Sequence, residues 1–463
     1  MKNRFPLSVL AALLLILPGV GRAAEAPTPS KPNIIYILAD DLGIGAVSCY
    51  GADHFRTPHI DALAQSGTRF THCYACPLCG PSRALLMTGR YAFHTGMTGN
   101  DSGPLLKPVN ETMMPRVLKP AGYATAMVGK WSQLPLQPGD WGFDEYLRFQ
   151  GSGKYWNTQH GAETYTLNGK ETPLHDGEYL PDRMQTFAID FIQRHQDKPF
   201  YLYYAMSHVH AEILRTPDSA PDSKDFYADN VTYMDKLVGQ LVAELDRLNL
   251  REKTLIVFSG DNGTAPAYAA RATVNGKALS GHKGTMLECG ALVPCFATWP
   301  GRVPQGKVAE NLIDLSDFFP TLAEIAGATL PAGLTIDGQG FAPQLLGKSD
   351  SWPRSWIFVE LGTHWYDREP AWKLNEAAEL YDMRGAPFEE KLIASSTGGD
   401  AAVAARARLQ AVLDQLNPGG GKVDPGDGSG KRANKAEKKA KKKGNAPTAT
   451  PATNSQNANA ADQ

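Results

Sequence analysis

Short apolar runs alternate with longer amphipathic stretches along most of this chain. Asn33-Ile-Ile-Tyr-Ile-Leu-Ala39 is apolar nearly throughout and of strand length, which predicts a strand buried on both faces, and it ends at Asp40-Asp41. Thr57-Pro58 reads as the start of a helix whose inner face is Ile60, Leu63 and Ala64 and which Gly67 stops. Met184, Phe187, Ala188, Phe191 and Ile192 recur at helical spacing, and Phe200-Tyr-Leu-Tyr-Tyr-Ala205 reads as a strand. Val231, Met234, Leu237, Val238, Leu241, Val242, Leu245 and Leu248 stripe a long helix, after which Thr254-Leu-Ile-Val-Phe258 runs into Asp261-Asn262-Gly263. Helices between short apolar strands predict an α/β fold with a large, mostly parallel central sheet sandwiched by helices. In such sheets the ligand site lies beyond the carboxyl ends of the strands. From about Leu345 the pattern weakens: residues 356–360 and 379–382 suggest a small antiparallel appendage, and residues 401–416 a closing helix.

Composition excludes several classes. A chain of 463 residues, 42% hydrophobic and 20% charged, is neither collagen-like nor wholly disordered, and six cysteines are too few to define the fold. The net charge of −2 hides a segregation: residues 418–463 carry nine Lys/Arg against four Asp/Glu, or +5, which leaves −7 for the rest. Lys2 and Arg4 precede an apolar run from Leu7 to Leu17, followed by Ala23-Ala24, the three-part pattern of a secretory signal peptide. That run is shorter than the roughly 20 residues of a spanning helix. The expected organisation is a signal peptide at 1–24, a catalytic domain at 32–344, a small C-terminal α+β subdomain at 345–417 and a disordered basic tail at 418–463. An exported, periplasmic or secreted protein with no stable membrane insertion is expected, and nothing motivates nucleic-acid binding. Oligomeric state is not legible.

The chemistry concentrates in Cys79-Gly80-Pro81-Ser82-Arg83, followed by Thr88-Gly89-Arg90. Pro81 suits the first position of a helix, so Cys79 would sit at a helix N-terminus, where developing negative charge is favoured, with Arg83 one turn on. A buried cysteine beside a capped helix accounts for the same residues. Cys76-Pro-Leu-Cys79 is also a Cys-x-x-Cys, but a redox site would leave the acids and lysines elsewhere unexplained.

The segment resembles the Cys-x-Pro-Ser-Arg and Thr-Gly-Arg pattern of the type I, formylglycine-dependent, arylsulfatase-like members of the sulfatase family, in the alkaline-phosphatase-like superfamily. The resemblance implies that Cys79 is oxidised to Cα-formylglycine by a separate maturation enzyme and that its hydrated aldehyde is the nucleophile. Further pieces follow in family order across about residues 32–392. Asp40-Asp41 and Asp261-Asn262 match the metal segments, which with residue 79 imply a site for Ca²⁺, with Mg²⁺ the alternative; its hard oxygen donors suit either. Val128-Gly-Lys130-Trp131 resembles a Gly-Lys-Trp-His segment, with Lys130 in place but Ser132 at the histidine position, where it can hydrogen-bond but not act as an acid or base near neutral pH. His210, rather than His208, fits the histidine near the scissile oxygen, and Lys283 fits the second sulfate lysine. Leu292 and Cys289 depart from the family pattern in ways expected to affect packing.

The implied reaction is sulfate-ester hydrolysis, with Arg83, Lys130 and Lys283 stabilising sulfate oxygens, Asp261 assisting deprotonation at residue 79, and His210 or Lys283 protonating the leaving alcohol. Lys130, Ser132, His210 and Lys283 are the expected substrate contacts. Phosphodiester or phosphonate hydrolysis on the same scaffold, and an impaired sulfatase-like glycan-binding module, are the alternatives. Loops at Gln133 to Gln159 and Trp365 to Trp372 would set selectivity, and Trp156, Trp365 and Trp372 could stack on sugar rings or merely pack. A sulfated small molecule or glycan, with carbohydrate favoured, is the expected substrate. For this family 463 residues are short, which implies a reduced C-terminal appendage.

Overall fold

The computed structural model describes Met1 and residues 31–131, 133–394 and 399–422. Most of the expected signal peptide, most of the basic tail, and Ser132 therefore lie outside the described residues. Ten strands form one sheet: β1 (Asn33–Ala39), β2 (Thr68–Tyr74), β3 (Ala124–Lys130), β4 (Glu145–Phe149), β5 (Thr164–Leu167), β6 (Lys170–Pro173), β7 (Phe200–Ala205), β8 (Thr254–Gly260), β9 (Leu292–Thr298) and β10 (Lys307–Asp314). Their order is β10-β2-β9-β8-β1-β7-β3-β4-β5-β6. The sheet is more mixed than expected. β9 runs antiparallel between β8 and β2, and the β4-β5-β6 edge is antiparallel, whereas β8-β1-β7-β3-β4 and β2-β10 pair in parallel.

Side chains alternate across the sheet and separate two cores. On β1, Ile34, Tyr36 and Leu38 face one core, while Ile35, Ile37 and Ala39 face the other. Helices α1 (Pro58–Gln65), α3 (Leu180–Arg194) and α4 (Phe226–Arg247) cover the second face through the apolar stripes read from the sequence. Helices α2 (Cys79–Thr88), α5 (Phe318–Ala326) and α6 (Gly399–Leu416) cover the first. Leu409 and Leu413 of α6 belong to that core, which Phe358, Leu374 and Leu380 of the C-terminal segment share.

The C-terminal appendage is a separate five-stranded antiparallel sheet: β11 (Ile357–Leu361), β12 (His364–Glu369), β13 (Trp372–Asn375), β14 (Leu380–Asp382) and β15 (Lys391–Ile393). Order continues slightly past the expected start of the tail, because Pro418 is buried and the Lys422 N–H donates to the Phe93 carbonyl at 2.7 Å. Among the described residues no helix is long and apolar enough to cross a membrane.

Candidate active site

The parallel strands β1, β3, β7 and β8 end on one edge of the sheet, and antiparallel β9 starts there. That arrangement brings five distant segments together. Asp40 and Asp41 follow β1, Lys130 closes β3, the loop after β7 carries His210, Asp261 and Asn262 follow β8, and Lys283 lies in the segment leading to β9. Backbone bonds fix the loops to one another: Asp40 N–H to the His208 carbonyl at 2.7 Å, Val209 N–H to the Asp40 carbonyl at 2.6 Å, and Asp261 N–H to the Ala39 carbonyl at 3.0 Å. Two glycines allow close approach. A Cβ on Gly129 would lie 1.9 Å from the Ala205 carbonyl oxygen, and one on Gly263 1.9 Å from that of Cys289.

Helix α2 enters this edge by its N-terminus. Cys79 is its first residue and Pro81 its third, two positions later than expected; neither needs a backbone donor there, since first-turn N–H groups have no intrahelical partner. Ser82 Oγ accepts the Cys76 N–H and Asn100 Oδ1 accepts the Gly80 N–H, both at 2.9 Å, which holds the turn before and after Cys79. At the far end Thr88 Oγ1 donates to the Ala84 carbonyl, Gly89 closes the helix at φ 68°, and Arg90 pairs with Glu111 at 2.9 Å. Thr88-Gly89-Arg90 is thus a structural stop that aims the other end.

The site is a balanced cluster of buried charge. Lys130 Nζ lies 2.7 Å from both Asp40 oxygens. Lys283 Nζ lies 2.6 Å from Asp41 Oδ1, and Arg83 Nη2 lies 2.7 Å from Asp261 Oδ2 and 3.5 Å from Asp40 Oδ1. Cys79 Sγ is 3.3 Å from Asp40 Oδ1 and 3.6 Å from Asp41 Oδ1. Burial favours the neutral Asp40 carboxyl, but Lys130, His210 and Arg83 outweigh it and hold that group at about 2. Burial, with Asp261 next, pushes the Cys79 thiol well up, so it stays protonated. Burial works against charge on Lys283 and Arg83, yet the anionic neighbours of each raise both above their ordinary values.

Lys283 and His210 are the two members that reach solvent, with side chains 14% and 21% exposed; the His210 ring lies 3.7 Å from Asp41 Oδ2. His208 is enclosed instead. It lies in the loop after β7, not on the strand, takes Tyr179 as a partner at 3.0 Å, and burial lowers it to about 3, which makes it a neutral structural ring. The two histidines differ through loop path rather than strand alternation.

The oxygen donors here suit a hard cation; the thiol and imidazole beside them do not. Asp40, Asp41, Cys79 and His210 offer ligand atoms within 4.8 Å of one another, and Asn262 Oδ1 is buried without a hydrogen-bond partner beside Asp41. Asp261 is more committed than expected, since Oδ1 accepts the Asp41 N–H at 3.0 Å while Oδ2 pairs with Arg83. Trp156 packs at a tilt against Tyr179 and donates to the Arg215 carbonyl, and Trp365 and Trp372 pack on the core, so all three have packing roles. Asn100, and Tyr203, whose hydroxyl lies 3.4 Å from Arg83 Nη1, were not singled out from the sequence; neither belongs to a motif.

The model of a family described as Sulfatase matches residues 32–328. The chain is 34% identical to human arylsulfatase A, over 74% of this chain and 73% of that protein. It is 33% identical to dog N-acetylgalactosamine-6-sulfatase, over 72% of this chain and 70% of that protein. A crystal structure of Ps i-CgsB in complex with k-i-k-neocarrahexaose aligns with a TM-score of 0.73 at 28% identity, covering 86% of this chain and 94% of that one.

Proposed function

This chain belongs to the sulfatase family and is a sulfuric ester hydrolase, and from that premise we propose that it removes sulfate from a carbohydrate, with residue 79 as nucleophile and a divalent cation as cofactor. The observation that carries this reading is the convergence on one sheet edge of Cys79 with Asp40, Asp41 and Asp261 and with Arg83, Lys130 and Lys283.

A protonated thiol is a poor nucleophile. Converted to Cα-formylglycine by a maturation enzyme, residue 79 would supply a hydrated aldehyde oxygen in its place. The α2 N-terminus favours negative charge there, and Asp261 would assist the deprotonation, with Asp40 Oδ1 and Asp41 Oδ1 at 3.3 and 3.6 Å from the Cys79 sulfur. Asp40, Asp41, Asp261 and Asn262, together with residue 79, would hold the cation. Ca²⁺ suits these oxygen donors in an exported protein, and the bound ion would polarise the sulfate oxygens. Arg83, Lys130 and Lys283 bring three positive charges against the same oxygens in a water-poor site, where such contacts count most. His210 or Lys283, the two members on the solvent side, would donate the proton to the departing alcohol. The carbohydrate reading is supported by the carrageenan-derived oligosaccharide named with the aligned structure and by the aminosugar in the name of the canine relative. The leader read at residues 1–24 supports export.

The test is mass spectrometry of the residue-79 peptide from the native producer, paired with release of sulfate from aryl and carbohydrate sulfate esters. Formylglycine and turnover are expected. An unmodified thiol in protein that still turns over would overturn the nucleophile, and turnover of aryl esters alone would overturn the carbohydrate assignment.

A further inference from the structure

The C-terminal sheet supplies none of the side chains in the site, yet it grips the segment that carries Lys283. Residues 280–290 have almost no regular structure of their own, only the four-residue helix Glu288–Ala291. Something else must hold a lysine whose Nζ has to stay within 2.8 Å of Asp41 Oδ2.

Glu390 does this from the loop before β15. Its Oε1 accepts Ser280 Oγ–H at 3.0 Å and the Glu288 N–H, so one oxygen ties together the two ends of the loop that presents Lys283. Its Oε2 pairs with Lys373 of β13, and these side chains are 2% and 4% exposed. Lys373 Nζ lies between the rings of Tyr366 and Tyr381, at 4.8 and 5.0 Å, and donates to the Met286 carbonyl at 3.3 Å. Neighbouring contacts reinforce the grip. The Ser280 N–H donates to the Pro387 carbonyl at 2.8 Å, Cys289 Sγ lies 3.7 Å from the same oxygen, and Glu288 Oε1 takes Arg368 of β12 at 3.0 Å and Tyr74 at 2.7 Å. The Lys283 and Gly284 N–H groups donate to the Thr264 and Pro77 carbonyls at 3.0 and 2.9 Å, His282 Nδ1 lies 2.9 Å from the Lys283 carbonyl, and the Cys289 N–H donates to the Ser280 carbonyl at 2.8 Å, a tie between the loop ends that Glu390 supplements.

We propose that Glu390 is a positioning residue for Lys283: it closes the 280–288 loop onto the C-terminal sheet, so that this sheet sets where the sulfate-facing lysine sits. The proposal rests on Lys283 contacting sulfate as described above. The buried Lys373–Glu390 pair suits such a role, because neither charge can leave its place without leaving the other buried and unpaired.

A double-mutant cycle on formylglycine-containing enzyme tests it, reading kcat and KM on a chromogenic aryl sulfate and inhibition by inorganic sulfate. Glu390→Ala is expected to lower kcat/KM by about tenfold or more and to weaken sulfate inhibition, while in a Lys283→Met background it costs no more than about twofold. The same loss in both backgrounds, or no loss in either, overturns the proposal. If Lys283→Met alone leaves turnover unchanged, the active-site reading fails instead, so the two failures are distinguishable. Should Glu390→Ala not fold, Ser280→Ala enters the same cycle: a loss of about threefold that vanishes with Lys283→Met supports the proposal, and an equal loss or none overturns it.

Discussion

Asp40 and Asp367 are both fully buried, one at the catalytic edge of the large sheet and the other on β12 of the small one. Asp40 has Lys130 on both oxygens and Arg83 nearby, and stays at about 2. Neither oxygen of Asp367 has a hydrogen-bond partner among the described residues, and burial pushes that carboxyl up to about 8. Burial is equal, so the partners decide the charge. The edge that carries the candidate site is a place where the chain has collected cations from distant segments to keep acids ionised. The small sheet carries an acid that folding keeps neutral, and its own ion pairs, Arg368–Glu288 and Lys373–Glu390, face the body of the protein.

The strongest way to break this contrast is Lys130→Met, which strips Asp40 of its main partner. Turnover should fall by about 10²–10³, as when one charge-stabilising donor is lost from an active site, and kcat on an aryl sulfate checks it. A second test works from the other side. In the folded state Asp367 keeps its proton up to about pH 8, whereas the unfolded chain releases it near the ordinary value of 3.8. The unfolded state therefore binds fewer protons across that window, and stability falls as pH rises through it. Asp367→Asn should remove the loss and stabilise the protein by up to about 4 kcal/mol at pH 7, with no gain below about pH 4, read from urea midpoints at several pH values.

Chelation sharpens the comparison further. Removing a divalent cation should abolish most turnover and cost about 3 kcal/mol of stability if the ion was present near 100 times its Kd, seen as a lower Tm in wild type and Asp367→Asn alike. The smallest expected effect is that of Ser132→His. Restoring an acid–base group at that position should raise kcat by up to about tenfold near neutral pH and leave the urea midpoint unchanged. An unchanged kcat would mean that the site does without a histidine there.

Much of this was written in local pattern. The runs that became β1 and β7 were legible to the residue, because a strand buried on both faces is an uninterrupted apolar run. The stripes of α3 and α4 were equally plain. Strand pairing was not. Nothing local in Leu292–Thr298 distinguishes an antiparallel strand between β8 and β2 from one more parallel member, since both are buried throughout. The charged members of the site were reached through motif resemblance. The roles of Glu390, Arg368 and Asn100 were hidden because each depends on a neighbour far along the chain, 110 residues away in the case of Ser280. Asp261 illustrates a subtler gap, for its identity as an acid was clear but its commitment to Arg83 and to the Asp41 N–H appears only in three dimensions.

Every residue of α2 is buried, and Cys79 is 1% exposed with Ser82 bonded back across the turn that precedes it. An enzyme that must read Cys79, Pro81 and Arg83 as a linear stretch has no access to them once this helix has docked. If Cys79 is converted as proposed, its oxidation and the folding of the chain are competitors for the same time interval. A host that folds the chain faster than it modifies it will accumulate well-folded, permanently unconverted molecules, so specific activity becomes a record of how that race was run in each cell.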